Sequence, residues 1–205
     1  GGGIGSTVRD TRGASLNQLV AEARPSLQRM LSLGTTSVEV KSGYGLDTQT
    51  ELKLLEAILK LDKESPLDLV PTFLGAHAVP PEYEGDTQGY TDLVCERMLP
   101  ALHQWWQEQR EAKPLPFVDV FCETGAFSLE QSRQILEAAD GLGFPLKIHA
   151  DEFDNLGGVS LAAELGAASA DHLVVTSEAD IAALGASDTV AVSLPCTPFV
   201  LAEGE

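Results

Sequence analysis

One order of elements, repeated six times, constrains this chain more than any other feature. A short β-branched or apolar run leads into a glycine or polar turn, and an amphipathic helical stretch follows. The runs fall at 35–41, 67–74, 117–123, 145–150, 171–175 and 189–194. Regular strand–helix alternation predicts a parallel sheet covered by helices. A doubly wound sheet concentrates its glycine fingerprint after the first strand, whereas here polar residues follow nearly every run. That pattern favours an α/β barrel with its polar residues at the strand ends. A complete barrel has eight units in about 250 residues, so a 205-residue chain holds about six of the eight βα units.

The helices carry their own punctuation. Leu16, Leu19, Val20, Ala23, Leu27 and Leu31 keep a helical period that Gly34 ends, with a break or kink expected at Pro25. Asp47 caps a helix running to Lys63, and a helical region over 87–112 is expected to be interrupted at Pro100. Ser128 and Gln131 form a capping box, with the stop at Gly141 or Gly143. A helix near 156–165 and another capped by Ser177, with Asp180, complete the series. The glycine-rich stretch 1–12 is expected to be a loop.

Composition excludes several classes of partner. Against 13 Lys and Arg stand 31 Asp and Glu, a formal charge of −18, and the basic residues form no stripe. Nucleic-acid binding is therefore not expected. No apolar run approaches the length that spans a bilayer, so no membrane partner is expected. Cys95, Cys122 and Cys196 are scattered without a C-x-x-C pair, which fits a reducing, cytoplasmic setting. Both ends look unlike natural termini, so a longer parent chain is expected.

The chemistry-bearing residues gather after the strands. In the stretch 147–153, strand alternation puts Lys147, His149 and Asp151 on one face and Ile148 and Ala150 on the other, with Glu152 at the strand end. His172 occupies a similar place one unit later, and His77 follows the second run. Tyr44 sits between Gly43 and Gly45 after the first run, and Glu123 closes the third. Imidazoles and carboxylates converging at a barrel mouth suit a divalent metal and an activated water. No H-x-H pair is present, so the residues alone point to a hydrolase-like barrel able to hold a metal. His103 reads as an outer helix-face residue, and Trp105 and Trp106 as packing.

Seven blocks carry a closer resemblance: GGGIGSTVRDTR (1–12), EVKSGYGL (39–46), TFLGAHAVPPEY (72–83), DVFCETGAFS (119–128), KIHADEF (147–153), SADHL (169–173) and LPCTPF (194–199). Together, and in this order, they resemble the imidazolonepropionase family of the metal-dependent amidohydrolase superfamily. One departure is Cys196, where the family generally has glycine. The resemblance implies a (β/α)8 TIM-like barrel of the amidohydrolase type. Residues 1–205 would be the central part of one hydrolase barrel, without the first and eighth strands and the small β-rich domain. It implies one divalent ion, zinc or iron, with His149 as a direct ligand. Glu152 and His172 would be catalytic, and Tyr44, His77 and Glu152 would contact substrate. The family's H-x-H pair, its metal-binding aspartate and its propionate-holding arginine have no match here, and Arg9 and Arg12 are not matched to that arginine. The implied reaction is hydrolysis of the ring C–N bond of 4-imidazolone-5-propanoate, giving N-formimidoyl-L-glutamate by a metal-activated water in histidine degradation. A small-molecule partner follows, and a homodimer is compatible with it. The alternatives are another cyclic-amide amidohydrolase or a non-catalytic remnant.

Overall fold

The computed structural model describes residues 3–109 and 114–197. Six strands make one sheet in sequential order, every neighbouring pair parallel: β1 (Ser37–Lys41), β2 (Asp68–Ala76), β3 (Phe117–Cys122), β4 (Lys147–Ala150), β5 (Ser169–His172) and β6 (Val190–Ser193). Sequential order is the barrel-type arrangement, and side-chain contacts show that the sheet curls. Strands four places apart in a flat sheet would lie about 19 Å apart. Yet Lys41 Nζ of β1 lies 3.4 Å from Asp171 Oδ2 of β5, and Lys147 Nζ of β4 lies 2.6 Å from Glu39 Oε2 of β1. The sheet is a half-barrel folded around its own polar face.

That polarity is set by strand alternation. The outward set includes Val118, Val120, Ile148, Ala150 and Ala170, all fully buried under helices. Over them lie α3 (Thr48–Glu64), α6 (Leu129–Gly141) and α7 (Gly158–Leu165), which contribute Leu55, Ile135, Leu136, Val159 and Ala162. Each large aliphatic side chain buried there contributes about 1.5–3 kcal/mol. The inward set is charged: Glu39, Lys41, Asp119, Lys147, His149 and Asp171.

The capping signals act as read. Asp47 accepts from Thr50 N, and Ser128 and Gln131 form the reciprocal box of α6. Ser177 caps α8 (Glu178–Gly185) through Asp180 N. Several expectations need correction. The stretch read as a glycine-rich loop is, from its third residue, helix α1 (Gly3–Gly13); Gly1 and Gly2 lie outside the described residues. Val8 is buried beneath α1, and Lys53 Nζ donates to the carbonyls of Thr11, Arg12 and Ala14 at the helix end. Helix α2 (Leu16–Ser32) passes through Pro25 without ending, because Pro25 and Ala21, whose carbonyl loses its partner, both face solvent.

The interruption expected at Pro100 takes a milder form. α4 (Thr87–Leu93) runs through a π-helical turn (Val94–Met98) into α5 (Leu99–Glu108), and the wider turn relieves the proline ring of the Glu96 carbonyl. Residues 110–112 of that region lie outside the described residues. His103 is not simply outward: its ring meets the edge of Phe144, with centroids 5.8 Å apart. Trp106 is buried in the core, as the packing reading required.

The strand expected at 171–175 starts two residues earlier and stops at His172. Positive φ at His172 (89°) and Leu173 (61°) turns the chain, and the N–H groups of Val174 and Val175 donate to Asp151 O at 2.9 and 3.0 Å. The last block, 194–199, is described only to Thr197, so Pro198 and Phe199 lie outside. Among the described helices, none is long and apolar enough to cross a membrane.

Candidate active site at the strand C-termini

The sheet brings four aromatic side chains together where its strands end. Tyr44 meets His77 edge-on with ring centroids 5.0 Å apart; His77 and His149 are separated by 6.4 Å, and His149 and His172 by 5.1 Å. Glu152 Oε1 stands 3.4 Å from His172 Nδ1, which makes no hydrogen bond among the described residues. Thus Tyr44, His77, His149, His172 and Glu152 form one continuous cluster drawn from four separate strand ends.

Beneath it lies a charged floor. Asp119 is fully buried: its Oδ1 accepts from His149 Nδ1 at 3.0 Å, while its Oδ2 accepts from Lys41 Nζ at 2.7 Å. Lys41 also donates to Glu39 Oε1 at 2.8 Å, and Thr72 Oγ1 donates to the same oxygen at 2.6 Å. Lys147 donates to Glu39 Oε2 at 2.6 Å, and Ser169 Oγ to Asp171 Oδ1 at 2.6 Å. The protonation states follow. Burial opposes ionisation of Asp119, but His149 and Lys41 hold its carboxyl far below the usual range. Burial likewise opposes charge on His149, and Asp119 outweighs it, lifting that imidazole. His172 goes the other way: burial, then the charge of His149, pushes it down to about 4. Burial also lowers His77.

Ligand atoms of Asp119, His149 and Asp171 all lie within 4.8 Å of one another, a grouping able to hold a metal ion. The donor chemistry separates their roles. In its neutral form, with Nδ1–H donated to Asp119, His149 has its Nε2 lone pair free for a metal, as a metal-ligating imidazole backed by a carboxylate does. The two carboxylates already have a cation, because Lys41 contacts both Asp119 and Asp171.

Two residues need separate placing. Asp151 does not join Lys147 and His149: its φ of 57° takes it off the strand pattern, and its Oδ2 accepts from Asn155 Nδ2 at 3.1 Å. Asp171 and Asp119 hold the inward positions instead. Glu123 works from below, accepting the N–H groups of Phe153 and Asp154, both at 3.0 Å, and so fixes the turn that carries Glu152. Glu39, Lys41, Asp119 and Asp171 were not singled out from the sequence, although charged residues alternating through β-branched runs (VEVK, FVDVF) carried that signal.

Fold and site together define a class: a parallel α/β half-barrel with an imidazole–carboxylate centre at the C-terminal ends of its strands. Within that class, the chain is similar from end to end to imidazolonepropionases. It is 55% identical over 205 residues to the imidazolonepropionase of Herpetosiphon aurantiacus, which spans 100% of this chain and 48% of that protein. The enzyme of Alkaliphilus oremlandii is 51% identical over 205 residues (47% of its length), and that of Bacillus cereus 54% over 201 residues (46% of its length). No family model matches the chain. The chain spans about half the length of the curated relatives it matches.

Proposed function

We propose that these residues are the central barrel segment of an imidazolonepropionase of the amidohydrolase type, in a cytoplasmic enzyme of histidine degradation. The reaction is opening of the ring of 4-imidazolone-5-propanoate at a C–N bond to give N-formimidoyl-L-glutamate. What supports this reading is the clustering of Tyr44, His77, His149, His172 and Glu152 at the strand ends, in a chain similar to imidazolonepropionases along its whole length.

His149 would hold one divalent ion, zinc or iron, through Nε2. Such an ion supplies Lewis-acid activation of water and of the ring carbonyl. The remaining ligands of a catalytic site, about three protein groups in all, would come from the first and eighth strands of the parent barrel, and a small β-rich domain would be built from both ends of the parent chain. Asp119 fixes the ring orientation of His149. His172 stays neutral at physiological pH, so it acts as a hydrogen-bonding imidazole toward the carbonyl rather than as a cation. Glu152 is the proton carrier of the pair, its carboxylate beside His172 Nδ1. Tyr44 and His77 line the substrate side of the cluster.

The test is an assay of the parent chain with 4-imidazolone-5-propanoate, alongside metal analysis. Turnover with about one zinc or iron per chain is the expected result. Turnover of other cyclic amides in its place, or no turnover by metal-replete protein, would overturn the reading.

A further inference from the structure

The loop that displays Tyr44 is held by a residue outside the cluster. Glu51, on the first turn of α3, is fully buried, and its carboxylate accepts three backbone N–H groups. Gly43 N donates to Oε2 at 2.9 Å, and Gly45 N and Leu46 N donate to Oε1 at 2.7 and 2.8 Å. Burial pushes the Glu51 carboxyl pKa up, but three converging N–H donors suit a group with acceptor lone pairs on both oxygens, which a carboxyl offers and an amide, with its NH₂, does not. On the other side of the loop, Arg12 donates to Gly45 O at 2.7 Å and Leu46 O at 3.3 Å, and pairs with Asp47 at 3.1 Å. Gly43 O takes the remaining contact, at 3.1 Å from His77 Nδ1. Because a carbonyl only accepts, His77 must carry its proton on Nδ1 and offer Nε2 as an acceptor.

The loop would not rest in this shape unaided. Leu46 has φ of 53° and Gly43 φ of 106°. A Cβ on Gly43 would meet the Leu74 carbonyl oxygen at 2.9 Å, and one on Gly45 would meet Thr50 Cβ at 2.8 Å. A strained conformation persists only where its surroundings over-determine it, and Glu51 supplies three of the bonds that do so. We propose that Glu51, backed by Arg12, is a positioning residue: it sets the loop so that Tyr44 lies against His77 and His77 presents Nε2 as an acceptor to the substrate. The substrate part of this inference rests on the function proposed above; the positioning part does not.

The experiment uses the parent protein with Glu51→Gln, Arg12→Met, Tyr44→Ala and the Glu51→Gln/Tyr44→Ala double variant. Glutamine turns an NH₂ toward at least one of the three donors, so exchange of the Gly43, Gly45 and Leu46 amides should speed up about tenfold or more. The NMR contact between the Tyr44 and His77 rings should be lost with it. KM for 4-imidazolone-5-propanoate should rise about tenfold with kcat within a few-fold, and the double variant should be no worse in KM than Tyr44→Ala alone, since coupled residues are non-additive. Arg12→Met, at a partly exposed position, should give the same changes in weaker form, and it serves if Glu51→Gln fails to fold. Retained amide protection and ring contact in the variants, or KM effects that multiply in the double variant, would overturn the inference. Absence of turnover in the unsubstituted protein would sink the functional reading alone, because the exchange and ring-contact measurements need no substrate.

Discussion

Replacing Asp119 with asparagine tests the charged floor, because it keeps the shape and removes one charge from a fully buried group. The carboxylate accepts from His149 on one oxygen and Lys41 on the other, at 3.0 and 2.7 Å. An asparagine offers one acceptor and one donor, so one partner faces an N–H group in either orientation. Loss of a charge-assisted bond costs about 1.5–3 kcal/mol, and breaking a buried pair outright about 3–5 kcal/mol. Lys41 keeps Glu39 at 2.8 Å and Asp171 at 3.4 Å, which places the expected loss near the lower range, about 2 kcal/mol. For a chain of this size that is a fall in Tm of about 4–8 °C.

The pH dependence has a definite sign. The folded-state pKa of Asp119 is held below its unfolded value. Its contribution is therefore complete above the unfolded value of about 3.9 and fades as pH falls from there toward the lower folded value. Denaturant unfolding of the two proteins should differ by the full amount at neutral pH and converge as the pH drops below about 4. Equal stability at pH 7, or a gap that widens in acid, would refute the view that Asp119 is ionised and shared between Lys41 and His149.

Three further outcomes are expected. In the parent enzyme, Glu152→Gln should lower kcat by about 10²-fold or more, as loss of a proton-transfer group does, while metal content stays the same; unchanged turnover would leave Glu152 a structural role. Gly43→Ala should cost about 1–3 kcal/mol in thermal unfolding, since φ of 106° and the 2.9 Å approach to Leu74 O leave a Cβ no relaxed position, and an unshifted Tm would contradict this. The 205-residue chain by itself should bind catalytic metal weakly and associate through its β1 and β6 edges, unpaired among the described residues, where Val190 is 58% exposed; sedimentation as a monomer at every concentration would contradict the second point.

The barrel-type sheet was legible because parallel strands buried under helices leave repeated β-branched runs, and caps such as Asp47, Ser128 and Ser177 are local signals. His77, His149 and His172 were legible because each lies within or just after such a run. Features that depend on distant partners were less so. The 1–12 stretch looked like a loop because glycine lowers helix propensity, whereas burial of Val8 and the Lys53 cap stabilise α1. Asp151 left the face expected for it because a single positive φ at Asp151 ended the alternation one residue early. The floor joins β1, β3, β4 and β5 across the curl of the sheet, and no local window contains Lys41 and Asp171 together.

Strain and chemistry coincide in this chain. Among the described residues, the non-glycine positions with positive φ are Leu46, Asp151, His172 and Leu173. They lie just beyond or at the ends of β1, β4 and β5, next to Tyr44, Glu152 and His172 themselves. Such conformations cost about 1–3 kcal/mol each, and three of the four have an identifiable backbone restraint. Leu46 N is tied to Glu51, and the Asp151 carbonyl is tied to the N–H groups of Val174 and Val175. Leu173 N donates to Ala150 O at 3.2 Å. Without those turns His172 would follow strand alternation onto the outward face with Ala170. The left-handed step instead brings its ring to 5.1 Å from His149 and its Nδ1 to 3.4 Å from Glu152. The backbone energy at the strand ends is thus spent on aiming side chains, and the buried carboxylates and carbonyls beneath them keep that aim from relaxing.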